Sequence, residues 1–255
     1  MDNIRFGVPA IHFCRGSFGA DIVDPLGLPQ WLVSRQKTLS TKSPIQFDLL
    51  SNARDSLKRA VDLMAWDDFS SDHAKLKHAI TNAAHAIELL LKERLRREHP
   101  AFIWQNVDKY RSLQALTVTS ETAVSRLTTI CNVAFTDSDK ASLLALRTTR
   151  NAIEHYEWHA SEAEAKIIVG NALSFALGFA EEHLGIDLSA DFKKDDTWSM
   201  LIQQAQEFAR AHSSRIATKA PNVFLMRCDE CQTETVTDVG SCLLCGHWQE
   251  MGIFR

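Results

Sequence analysis

A chain of 255 residues that is 45% apolar and 24% charged has side chains for one sizeable core and a small accessory module. Its net charge of -4 excludes a global attraction to nucleic acid or anionic membrane, so any surface for RNA must be local. No charge-free apolar run reaches membrane-span length; the richest, Ile167 to Ala180, is interrupted by Gly170, Asn171, Ser174 and Gly178.

The first residues, Met1 to Arg5, lack the basic and then apolar pattern of a secretory leader. Four of the six cysteines fall in two C-x-x-C pairs, while Cys14 and Cys131 stand alone, a pattern that expects a reducing cytoplasm and a bound metal rather than disulfides. Residues 1–44, with Pro9, Pro25, Pro29 and Pro44, read as an irregular N-terminal arm with a short strand at Ile11 to Phe13. From Ile45 the period becomes helical. Leu49, Leu50, Ala53, Leu57, Ala60, Val61 and Met64 predict a helix over 45–66, and Ile80, Ala83, Ala84, Ile87, Leu90 and Leu91 predict one over 71–98 that ends at His99-Pro100. A short piece follows over 102–115, then a helix over 120–134. Asp137 is the expected N-cap of a helix over 138–158; Ser161 caps the next, which runs to Leu184 before Gly185. A last helix over 196–213 completes a bundle spanning 45–215. Ala217 to Asn222 is the expected linker.

Residues 222–255 hold Cys228-x-x-Cys231 and Cys242-x-x-Cys245, ten residues apart, with Gly246 after the second pair. This is zinc-ribbon spacing: two knuckles present four thiolates to one tetrahedral Zn(II), structural and one per chain. The β-branched run Thr233 to Thr237 suits a strand, with Trp248 to Phe254 as its antiparallel partner. Five acids against Arg227 and Arg255 make this ribbon a poor platform for a phosphate backbone, so its role is a structural cap or a protein-binding tag.

The stretch Arg150-Asn151-Ala152-Ile153-Glu154-His155 sets a cation, an amide and an imidazole on one predicted helix. A guanidinium holds phosphate through a planar fork, an imidazole exchanges protons near neutral pH, and an amide orients either partner. At 100° per residue Asn151 and His155 share a face, whereas Arg150 is turned about 140° from His155. Either the arginine reaches round the helix, or two copies meet across a two-fold axis and build a composite cleft. The same geometry puts Glu154 on the turn of Arg150, where a surface ion pair is the competing use.

Two stretches resemble the HEPN superfamily of helical-bundle domains, whose signature is Arg-x4-6-His, often with a polar residue after the arginine. Ala83-Ala-His-Ala-Ile-Glu-Leu-Leu-Leu-Lys92 looks like the family's earlier core helix with its embedded acid, and Leu146-Arg-Thr-Thr-Arg-Asn-Ala-Ile-Glu-His155 looks like its motif helix. The resemblance covers about 45–185. It implies an all-α HEPN-like bundle, here followed by a small C-terminal β zinc ribbon, and a metal-independent endoribonuclease active as a homodimer in a toxin or anti-phage defence role. By position it makes His155 the general acid/base, Arg150 the phosphate clamp, Asn151 an orienting group and Glu88 a supporting polar residue. The implied substrate is RNA, the implied product ends are 2′,3′-cyclic phosphates, and an antitoxin or regulatory protein is an implied partner. A toxin subgroup carries tyrosine two positions after the histidine; here Tyr156 follows directly and Glu157 takes that place, so the regulation tied to that tyrosine does not carry over.

Other readings compete. His155 and His159 make an H-x3-H pair on one helical face, which is ligand spacing, yet no third ligand is visible. The basic run Lys92, Arg94, Arg96 and Arg97 is interleaved with Glu93 and Glu98 and reads as a solvated face; Glu88, near His85, has the pattern of a rim residue on an amphipathic helix more often than of a catalytic one. Trp66, Trp104, Trp158 and Trp198 read as core or interface anchors. The non-catalytic alternative is an adaptor whose bundle binds a nucleotide, RNA or protein while the ribbon mediates assembly.

Overall fold

A computed structural model describes residues 46–66, 73–112 and 114–250. The expected arm over 1–44, with its strand at Ile11 to Phe13, lies outside these residues. The rest is a helical bundle with a two-stranded antiparallel sheet near its C-terminal end.

Helix α1 (Leu49–Ala65) starts on Asp48, whose carboxylate accepts from the Ser51 amide at 2.7 Å. It buries Ala53, Leu57, Ala60, Val61 and Met64, the predicted stripe, on α2 (His73–Glu98). Helix α2 is central and packs on α1, α3 (Ser120–Ile130), α4 (Asp137–His155) and α5 (Glu162–Phe179). Fully buried Glu93 near its end is satisfied by Arg96 at 2.7 Å and Arg97 at 3.0 Å, and Arg97 also donates to the Leu184 carbonyl. The basic run is therefore only partly a solvated face.

Between α2 and α3 the expected short piece is two 3-10 turns, Pro100–Ile103 and Val107–Lys109. Arg126 of α3 holds this segment by donating to the carbonyls of Phe102, Trp104 and Gln105. Helix α3 stops at Ile130, short of the predicted 134, because the chain turns through left-handed Asn132 at φ 53°. The N-cap of α4 is Thr136 rather than Asp137: Thr136 Oγ1 accepts from the Asp139 amide while Asp139 accepts from the Thr136 amide, a reciprocal box that Asp137 cannot form.

Ser161 caps α5 through the equivalent box with Glu164. The helix runs through a π turn, Ala180–Leu184, and ends at Gly185 with φ 68°. By length and composition the Glu162–Leu184 segment passes for a membrane span, but 67% of its apolar window is buried inside the bundle. Gly170 makes that burial possible: a Cβ there would stand 2.6 Å from the Phe208 backbone nitrogen of α8 (Gln206–Lys219). Helices α6 (Ser189–Phe192) and α7 (Thr197–Gln204) precede α8. The predicted single helix over 196–213 is thus α7 and α8, broken at Ala205, where neither glycine nor proline marks the break. Arg215 of α8 crosses to the N-terminus of α4 and pairs with Asp139 at 2.6 Å.

Candidate functional site

Two groups of polar side chains come together, one in the ribbon and one between α2 and α4. In the ribbon, strand β1 (Met226–Arg227) pairs antiparallel with β2 (Glu234–Val236). The partner of β2 is therefore β1; Trp248 joins no strand, making an isolated bridge to Ser241 and donating its indole N–H to the Val239 carbonyl, and residues 251–255 lie outside the described set. Two knuckles repeat one hydrogen-bond pattern. The Cys228 amide donates to the Thr233 carbonyl and the Cys242 amide to the His247 carbonyl; the Gln232 and Gly246 amides return to the carbonyls of Cys228 and Cys242. Each knuckle closes on a left-handed residue, Gln232 at φ 59° and Gly246 at φ 77°, of which only the glycine is legible as a turn signal.

The knuckles bring four sulfurs within 4.8 Å of one another. Cys228 Sγ lies 3.6 Å from Cys245 Sγ, and Cys231 Sγ lies 3.7 Å from Cys242 Sγ. A disulfide needs about 2 Å. Tetrahedral metal–thiolate bonds of about 2.3 Å set sulfur–sulfur edges near 3.8 Å, which these distances match. Burial pushes the thiols of Cys228 and Cys245 up. Burial also acts against Cys242, but the Cys245 amide and the Thr235 hydroxyl, 3.0 Å from its sulfur, hold it down to about 7. Four thiolates this close need a cation among them, so the donor set fits a structural metal site. Among the described residues it is the only such cluster.

The ribbon does not hang on a linker. Cys228, Val236, Cys242 and Leu244 belong to the same buried cluster as the helices, and Trp198 of α7 donates its indole N–H to the Leu244 carbonyl at 2.8 Å. Helix α8 itself runs to Lys219, through half of the predicted linker. Trp198 is the buried anchor among the tryptophans considered, whereas Trp66 is half-exposed.

The second group lines a cleft of about 310 Å³. Helix α4 contributes Arg147, Arg150, Asn151 and Glu154, and α2 contributes His85 and Glu88. Arg150 is engaged on its own helix: Nη2 lies 2.8 Å from Glu154 Oε2 and Nη1 donates to Asn151 Oδ1 at 3.3 Å. The i,i+4 ion pair exists. Glu88 accepts from Lys92 at 2.5 Å, and Lys92 also reaches Thr117 Oγ1, so the Glu88 carboxylate serves a buried lysine rather than the arginine. His155 is the last residue of α4, stands outside the cleft and has a side chain 62% exposed. Glu154 sits between the two motif groups, its Oε2 being 3.9 Å from His155 Nε2. His159 is past the end of the helix and lies 3.4 Å from Glu157, so the H-x3-H pair does not share a helical face.

The fold brings Arg150, Asn151 and Glu88 to one cleft and leaves His155 outside it, although the four-residue spacing puts His155 on the face of Asn151; His155 is the last residue of its helix. Sequence spacing does not reveal that His85 lines the same cleft with its ring held by Ser56 of α1, because that pairing joins helices 29 residues apart. Compared with known proteins, the chain matches no family model, no curated protein and no solved structure.

Proposed function

We propose that the chain is a metal-independent endoribonuclease of the HEPN type, working as a homodimer in the cytoplasm in a toxin or anti-phage defence role. The observation that carries this reading is the split motif: Arg150 and Asn151 line a cleft while His155 faces solvent at the end of the same helix. Within one copy the clamp and the imidazole act on different sides. Two copies meeting along α4 would bring the His155 of one toward the cleft of the other. The outer face of α4 suits that contact, with Ala141, Leu144, Ala145 and Thr148 all exposed and Leu144 57% so. In this reading Arg150 holds the scissile phosphate, Asn151 orients it, and His155 takes the 2′-hydroxyl proton, giving a 2′,3′-cyclic phosphate. The ribbon metal is Zn(II), one per chain, and structural, since four thiolates leave no open coordination position. A regulatory or antitoxin protein partner belongs to the same proposal.

The second reading is a binding adaptor without catalysis. It is favoured by the Arg150–Glu154 pair, which already occupies the guanidinium. One experiment separates the two. Arg150→Ala and His155→Ala chains should each be inactive on total RNA, and the mixed heterodimer should recover cleavage at one of its two composite sites. Wild-type protein that leaves RNA intact, with equal growth of cells expressing wild type or His155→Ala, gives the adaptor reading.

A further inference from the structure

The cleft between α2 and α4 holds an imidazole that does not belong to the Arg-x4-His motif. His85 lines it from α2, across from Arg150 and Glu154 on α4. Its Nδ1 lies 2.8 Å from the hydroxyl of Ser56, a residue 5% exposed on α1. Among the described residues Nε2 has no hydrogen-bond partner, so the bond to Ser56 leaves this nitrogen for the cleft. A surface histidine on a helix ordinarily samples several rotamers. This one is fixed by a buried hydroxyl on a second helix, as a positioned proton carrier needs to be. A hydroxyl both donates and accepts, so Ser56 supports either tautomer: it accepts from Nδ1–H when Nε2 is bare and donates to Nδ1 when Nε2 carries the proton.

The cleft has other titratable groups, and each is engaged. Glu88 accepts from Lys92, Glu154 accepts from Arg150, and Arg147 is paired with Glu121. Among the described residues His85 is therefore the one titratable group lining the cleft that is in no ion pair, its Nδ1 being held by a neutral hydroxyl.

We propose that His85 is the general acid of the cleavage, an assignment that rests on the ribonuclease reading above. As the 2′-oxygen–phosphorus bond forms and the phosphorus–O5′ bond breaks, His155 of the second copy takes the 2′-hydroxyl proton. His85 enters this step as the imidazolium, its Nδ1–H donated to Ser56 Oγ; it gives its Nε2 proton to O5′, which leaves as a free 5′-hydroxyl, and is left as the neutral Nδ1–H tautomer. Ser56 is a positioning residue that holds the ring during this transfer. The two imidazoles then recover their starting states by exchange with water.

The test compares two substrates, an RNA oligonucleotide and uridine 3′-(4-nitrophenyl phosphate), whose nitrophenolate leaves without needing a proton. His85→Ala should lower kcat on RNA by about 10²- to 10⁴-fold while the ester is turned over at near the wild-type rate. His85→Gln, which keeps a hydrogen-bonding side chain beside Ser56, should show the same split and guards against a loss of fold. Ser56→Ala should lower the RNA rate and spare the ester, whereas His155→Ala should lose both. Equal losses on the two substrates in the His85 variants, or no loss on either, would overturn His85 as the acid. Wild-type protein inactive on both substrates would instead overturn the ribonuclease reading itself.

Discussion

Acid should loosen the packing of α8 on α5 and α7 through one residue, His212. Its ring stacks on Phe208 with centroids 5.3 Å apart, meets Trp198 edge-on at 6.0 Å, and has Ser174 Oγ 3.4 Å from Nδ1. Burial lowers this imidazole from 6.5 to about 4; Arg215, Lys219 and Lys193 act in the same direction and Glu181 opposes them. The unfolded chain takes up this proton near 6.5, the folded chain only near 4. Between those values the unfolded state binds more protons, so stability falls as pH falls. The contribution is whole above the unfolded value and gone below the folded one. At about 1.4 kcal/mol per pH unit, the gap of roughly 2.5 between the two values is worth about 3–4 kcal/mol in full, of which about 3 is lost by pH 4. The assay is urea unfolding from pH 7.5 to 4 for wild type and for His212→Phe, which keeps the stack on Phe208 but cannot protonate. Acid would also release a thiolate-bound metal from both proteins, so the difference between the two curves carries the result. Wild type should lose about 3 kcal/mol more than the variant over this window. A constant difference would refute the argument.

Gly170→Ala should be among the most damaging small substitutions, since its Cβ would meet the backbone of Glu207 and Phe208 at 2.8 and 2.6 Å and backbone cannot step aside. We expect a loss of about 1–3 kcal/mol in urea unfolding, where alanine for glycine in an open helix would gain stability. Purified protein should carry one equivalent of zinc, measured by elemental analysis, and Cys242→Ser should lose it. Because Leu244 and Cys242 share the core of the helices, the same variant should lower the helical melting temperature; unchanged helix melting after metal loss would refute the shared core.

What the chain discloses by itself follows the range of each interaction. Caps are local, so Ser161 with Glu164 is legible as a helix start, and the error at α4 is one residue, between two neighbouring oxygens at Thr136 and Asp137. The cysteine cluster is legible because each knuckle presents its sulfurs from residues three apart. Periodicity tells which face of a helix is apolar but not which element covers it. Nothing in the residues around Leu244 says that its carbonyl will receive the indole N–H of Trp198, 46 residues earlier. The break at Ala205 is equally silent, since its residue type favours helix. The same limit applies to the cleft. Arg150 and Asn151 are visible in one hexapeptide, whereas the role of His85 emerges only once α1 supplies Ser56 and α4 supplies the opposite wall.

The Arg150–Glu154 pair decides how the cleft would work. Both side chains are about a third exposed, at 39% and 32%, and an exposed i,i+4 pair of this kind is worth a few tenths of a kcal/mol. Hydrogen bonds from a guanidinium to a phosphate are worth about 1.5–3 kcal/mol, so in the ribonuclease reading an arriving phosphodiester would win Arg150 from Glu154. Glu154 keeps the guanidinium extended along α4 until then, which lowers the entropy lost on binding. Once released, its carboxylate is still the acid nearest to His155, 3.9 Å from Nε2 before substrate arrives. In the ribonuclease reading Glu154→Gln should therefore raise RNA affinity while lowering kcat, because the competitor for Arg150 and the anionic neighbour of His155 disappear together. An adaptor would show the gain in affinity alone. Unchanged affinity, measured with a non-cleavable 2′-deoxy substrate, would mean that the pair does not gate the cleft.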